Sequence, residues 1–311
     1  MKIIVIILAI IGAGSLLLKG CGKVFENMQS VPKNYTETVK TGGELEAKYL
    51  AMGEHEVSYY ESYAMMSFEK YEIYYPSDIA EMDDPLPVVV FVNGSGTGGS
   101  KYQALQKHMA SWGFISIATE EQHAWNGFSA EMCVRFLERL NGLEMFDNKE
   151  NVFYGKIDAN NVGITGHSQG GYGVVNAITA HDHAINYKAA VSLSSCPSTD
   201  DTNLMWTADP SNINAPSLII GSTGNADSML ANMEGLQRFY DSILDDVTKV
   251  LMRRNDADHG EMLYYADGYV TAWFMYHLQG DEEAGKAFFG EGAEIRDNTL
   301  YQDVQVKEDN D

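Results

Sequence analysis

From residue 86 onward the chain alternates between short apolar runs and longer stretches of helical periodicity. Leu86-Pro87-Val88-Val89-Val90-Phe91-Val92 is apolar throughout and rich in β-branched residues. That is the pattern of a strand buried on both faces of a parallel sheet. Similar runs return at residues 161–165, 189–195, 216–221 and 249–253, the last being the final strand the pattern predicts. Between and beyond them, residues 130–137, 171–178, 233–240 and 269–278 read as helices. Upstream, residues 56–80 predict two antiparallel strands. Strands alternating with helices define the fold class as α/β, a mostly parallel sheet with helices on both faces. The interval from residue 195 to residue 216 is too short for a large lid domain, so the face it borders should be open.

The ends of the chain read differently. Met1-Lys2 precedes an uncharged apolar run at residues 3–18, and the segment closes on Leu18-Lys19-Gly20-Cys21. A short basic start, an apolar stretch and a cysteine after a small residue resemble a bacterial lipoprotein signal, with Cys21 as the lipidated first residue. An uncleaved membrane anchor is the rival reading, although the 16 residues from 3 to 18 fall short of a comfortable span, which needs about 20. A buried core helix is the plain alternative. The export readings place the folded domain outside the cytoplasm, tethered at the membrane. Residues 22–55 are polar and read as a tether. Residues 56–293 form the α/β domain, and residues 294–311 an acidic, partly extended or loose tail.

At 311 residues and 45% hydrophobic content the chain can bury one large core, and one α/β domain of about 250 residues is the simplest division. Lysine and arginine total 21 against 44 aspartates and glutamates, a net charge of −23. Nucleic-acid binding rests on cationic contacts to phosphate and is excluded on that ground. The same charge disfavours an electrostatically held anionic membrane partner, leaving the N-terminal anchor as the membrane contact. Of three cysteines, Cys133 and Cys196 remain if Cys21 is lipidated. One disulfide between them or two separate thiols are both open.

The chemistry concentrates at Gly166-His167-Ser168-Gln169-Gly170. This fits Gly-x-Ser-x-Gly with a strand-like run before it and a helix start after it, the setting of a nucleophile elbow. Glycines two before and two after the serine are needed because a Cβ there would clash. The following helix N-terminus aims free N–H groups at the site. Upstream, strand 86–92 breaks into Asn93-Gly94-Ser95-Gly96-Thr97-Gly98-Gly99-Ser100. No Gly-Lys-Ser/Thr follows, so this is not a Walker loop. We assign the backbone N–H groups of Ser95 and Gln169 as oxyanion donors, each worth about 3–4 kcal/mol to a tetrahedral intermediate.

Asp227, in the loop after strand 216–221, is the candidate acid, preferred over Glu234 and Asp241 in the helical stretch that follows. His259, in a polar loop after strand 249–253, is the candidate base, since an imidazole can take the serine proton at neutral pH and return it to the leaving group. The order Ser168, Asp227, His259 suits this architecture. His167 sits inside the elbow, and His277 lies in an aromatic helix and reads as packing. His181 and His183 flank Asp182 without a third ligand at metal spacing and read as a surface turn. No metal or organic cofactor is called for.

On these residues the chain resembles the α/β-hydrolase superfamily, and within it the group of cutinase-like polyester hydrolases, dienelactone hydrolases and chlorophyllases. Residues 71–76, 88–99, 110–118, the elbow, and the stretch from His259 through the 269–278 helix carry the resemblance, which covers most of residues 68–285. It implies a serine esterase acting on a small or polymeric ester. Two departures stand out. The group often has an aromatic residue where Ser95 stands, and its acid usually follows the strand more closely than Asp227 does. An acyltransferase or peptidase would use the same triad, and a non-catalytic binding protein could retain the scaffold. Trp206, Met205 and residues 122–125 are candidate walls of the site.

Overall fold

The computed structural model describes residues 31–147, 149–200 and 206–308. Cys21 and the apolar segment before it lie outside the described residues, as does Met205. Nine strands form one sheet: β1 (Val57–Tyr63), β2 (Lys70–Pro76), β3 (Leu86–Val92), β4 (Ile115–Thr119), β5 (Ile157–His167), β6 (Tyr187–Leu193), β7 (Ser217–Ser222), β8 (Lys249–Arg254) and β9 (Tyr301–Lys307). Their order is β1-β2-β4-β3-β5-β6-β7-β8-β9. Strands β3 to β8 run parallel to one another, while β1, β2 and β9 pair antiparallel. The parallel centre is buried on both faces, which is why its strands read as unbroken apolar runs. From Val88 to Val92 every residue is buried.

Two hydrophobic layers cover the sheet. One holds α4 (Phe128–Asn141), α5 (Gln169–Ala180) and α7 (Met233–Ser242). The other holds α3 (Gln103–Ser111) and α8 (Asp267–Gln279). Between them in sequence, α6 (Asn225–Leu230) is a short helix just after β7. Crossover helices on both faces put the ends of β3, β5, β7 and β8 along one edge, where the following loops meet.

Two expectations about the ends are corrected. The stretch read as a tether folds from Val31 onward. Here α1 (Tyr35–Thr38) and α2 (Glu44–Leu50) bury Tyr35 and Tyr49 almost completely. Glu294 accepts hydrogen bonds from the free N–H groups of Leu45 and Glu46 at 2.6 and 2.8 Å, serving as the helix N-terminal anion. The tail read as loose is also ordered. Its strand β9 pairs with β8, so β8 is not the last strand. Tyr301 is buried and donates to the buried Glu46 at 2.8 Å. Asn298 donates to the same carboxylate at 2.8 Å. The two ends therefore meet around one buried acid. The exposed glutamine and aspartate of β9 leave a polar outer edge that discourages pairing with another sheet.

Cys133 and Cys196 are both free thiols, the first fully buried. Burial raises the Cys133 thiol, and burial with the charge of Asp227 raises Cys196 to about 12. Neither is a thiolate near neutral pH.

Candidate active site

Ser168 sits between β5 and α5 with φ 57° and ψ −121°, a conformation that non-glycine residues rarely adopt. The surroundings impose it. Its N–H donates to Leu193 O at 2.9 Å and its carbonyl accepts from Gly171 N–H at 3.0 Å. A Cβ on Gly166 would lie 2.4 Å from Gly170 O, and one on Gly170 would lie 2.2 Å from Val92 O. The flanking glycines are thus required by contact with backbone, as the motif implied. Ser168 is partly exposed, and its hydroxyl makes no hydrogen bond among the described residues.

The loop after β3 is fastened at many points. Asn93 Nδ2 donates to Thr119 O and Glu121 O at 2.7 and 2.8 Å. Gly94 N–H donates to the Tyr102 hydroxyl at 2.9 Å, and Gly96 N–H to Gln122 O at 3.1 Å. Ser95 N–H, between them, has no partner among the described residues. Gln169 N–H opens α5 and is likewise free of any, as the first helical N–H groups are. The Ser95 hydroxyl is buried without a partner.

Asp227 is fully buried in the first turn of α6. Its apparent distance from β7 is resolved by that short helix, which reels it back so that Oδ2 accepts the Ser222 N–H at 2.6 Å. Oδ1 accepts Nδ1–H of His259 at 2.7 Å. Burial by itself would raise the acid, but the hydrogen bond from His259 leads a set that outweighs it, and Asp227 is held below the usual carboxylate range. The acid and histidine loops are also tied directly, since Ser222 Oγ donates to Ala257 O at 2.6 Å. His259 Nε2 carries no hydrogen bond among the described residues, leaving its lone pair open. The His259 ring lies 4.6 Å from the ring of His167, beside the serine.

The other singled-out residues have other roles. His277 packs edge-on against Trp273 at 4.3 Å, and burial lowers it to about 4. His183 bonds Glu131 and Glu138 at 2.8 and 3.0 Å, and Asp182 pairs with Arg135 at 2.7 Å. Trp206 stands edge-on to Tyr172 at 5.9 Å, and Trp125 packs on the core with its carbonyl held by Asn176. The tie from Ser222 to Ala257 and the partner of His167 were not legible in sequence, because both depend on the paths of distant loops.

A serine on a strained strand–helix turn, two free N–H groups and a buried aspartate–histidine pair at the ends of a parallel sheet define an α/β-hydrolase. A family model described as PET hydrolase-like matches residues 38–295, and the chain belongs to that family. Among characterised proteins it is similar to a bis(hydroxyethyl) terephthalate hydrolase from Streptomyces coelicolor, with 24% identity over 200 residues, 64% of this chain and 57% of the relative. The chain thus spans a little over half the length of that relative.

Proposed function

We propose that the protein is a serine hydrolase of carboxylic esters, with aromatic diacid esters of the bis(hydroxyethyl) terephthalate kind, or the polyesters built from them, as its substrates. The observation that carries this is the buried Asp227–His259 pair, whose imidazole lies 4.6 Å from the ring of His167, the residue before the elbow serine. Ser168 Oγ attacks the ester carbonyl while His259 Nε2 takes its proton. The N–H groups of Ser95 and Gln169 hold the oxygen that becomes negative. The tetrahedral intermediate collapses, breaking the carbonyl–alkoxy bond. His259 gives its proton to the departing alcohol, and Ser168 is left acylated. Water repeats the sequence, with His259 as base, and releases the acid. Asp227 holds the imidazole in the tautomer with Nε2 bare and stabilises the cation that forms. No step uses a metal or organic cofactor.

Membership of a PET hydrolase-like family and the absence of room for a large lid favour a bulky or polymeric ester. Transfer to an alcohol or amine would use the same groups, and a competition between water and such acceptors separates the readings. We further propose that Cys21 is lipidated and tethers the enzyme outside the cytoplasm. Among the described residues no helix is long and apolar enough to cross a membrane.

Substitution Ser168→Ala tests the central reading. Hydrolysis of bis(hydroxyethyl) terephthalate, followed by product release, should fall by at least about 10⁴-fold. A rate near wild type would place the chemistry elsewhere.

A further inference from the structure

His167 is a buried titratable group with no part in the proton transfers above. It lies between the two loops that must be held apart by the right amount. On one side its Nε2 is 2.7 Å from the backbone carbonyl of His259, in a buried contact. A carbonyl can only accept, so Nε2 carries the proton and donates. On the other side Gly94 of the oxyanion loop packs against it. A Cβ built on Gly94 would sit 3.2 Å from His167 O and 3.5 Å from His167 Nδ1. The residue is only 3% exposed.

We propose that His167 is a positioning residue for the reaction, spacing the loop that carries Ser95 from the loop that carries His259. The inference rests on the triad reading given above. The His259 ring is held through Nδ1 by Asp227, and its loop by the Asp258 carboxylate on the His259 N–H and the Ser222 tie to Ala257, whereas His167 alone among the described residues bonds the His259 carbonyl. The bond from His167 fixes the backbone from which the imidazole hangs, so rotation about that backbone cannot swing Nε2 away from Ser168. The role requires a neutral ring that does not exchange its donor for a charge near the reacting groups. Burial first, then the charge of His259, holds His167 down at about 3, so it stays neutral through the working range.

Three variants separate positioning from packing. His167→Phe keeps the ring and removes the donor. His167→Gln can place an amide N–H near the Nε2 position, while His167→Asn reaches only as far as Nδ1. Activity on a soluble p-nitrophenyl ester is measured with the Ser168→Ala rate subtracted, so failure of the triad reading shows separately as a large residual in that variant. Phe and Asn should lower kcat about 10- to 100-fold, the penalty of a misplaced catalytic group, with KM within about twofold. Gln should recover most of kcat, and fluorophosphonate labelling rates of Ser168 should follow the same order. Should Phe fail to fold, the Gln and Asn pair decides alone. Equal kcat in Gln and Asn, or losses that track the folded fraction in a thermal melt, would overturn the proposal.

Discussion

Among the described residues are two buried aspartate–histidine pairs with the same short separation, and they are built for opposite ends. His259 Nδ1 meets Asp227 Oδ1 at 2.7 Å, and His108 Nδ1 meets Asp267 Oδ2 at 2.7 Å. In the first pair the second ring nitrogen has no hydrogen bond among the described residues, and the ring lies 4.6 Å from that of His167 in the elbow. In the second it is bonded to Ala51 O at 2.8 Å, and Tyr35 donates a further hydrogen bond to Asp267 at 2.5 Å. Both nitrogens of His108 are therefore engaged by protein partners, with the Trp112 indole N–H 3.2 Å from Nε2 beside the Ala51 carbonyl. The pair instead pins the N-terminal segment, through Tyr35 and Ala51, to α3 and α8. An aspartate beside a histidine is therefore not a catalytic signature in itself. The open nitrogen and the neighbouring nucleophile make it one.

The comparison breaks if the two aspartates behave alike. Asp227→Asn should cut kcat by about 10⁴-fold in the folded protein, because the imidazole loses the partner that fixes its tautomer. Asp267→Asn should cost about 3–5 kcal/mol of stability as one member of a buried pair is removed. Its kcat, measured at low temperature where the protein is folded, should stay within a few-fold of wild type. Denaturant unfolding and ester kinetics on the same two variants decide this.

Acid should separate stability from the catalytic pair in another way. His277 is held down to about 4 and His167 to about 3, both chiefly by burial. Each therefore binds its proton more weakly folded than unfolded. The stability they contribute is fully present above the ordinary imidazole value near 6.5 and is lost as pH falls towards those folded values. The His277 shift alone corresponds to ~3 kcal/mol. The variant His277→Phe should flatten the stability profile between about pH 6.5 and 4 by that amount, as read by urea midpoints. It should leave the acid limb of kcat/KM where it was. The smallest expected effect is in Tyr35→Phe, which removes one of the partners of Asp267 and should cost ~1–2 kcal/mol with kcat unchanged.

The candidate active site was far more legible in sequence than the terminal clamp, and the reason is physical. Strand β3 was predicted to the residue because a strand buried on both faces must be apolar at every position. In β5 only the inner part was visible, since Asp158 and Asn160 at its outer end are polar and at least partly exposed. Ser168, Asp227 and His259 were each marked by a local setting, a strand end followed by a turn, and their chain order supplied the rest. Nothing local marks the clamp. Tyr35 is held by Asp267, α2 is capped by Glu294, and Glu46 is satisfied by Asn298 and Tyr301, all more than 200 positions away. Short helices fixed by polar groups look like linker, and an edge strand with alternating polar residues looks like tail. His167 falls between these cases, since its place in the elbow was plain while its partner depended on where the His259 loop returned.

The most direct measurement is fluorophosphonate labelling with peptide mapping on the wild type, Asp227→Asn and Asp267→Asn, each at a temperature where it is folded. The account predicts rapid labelling of Ser168 in the wild type and in Asp267→Asn, and its loss in Asp227→Asn. Rapid labelling of Ser168 in Asp227→Asn, or none in the wild type, would contradict it.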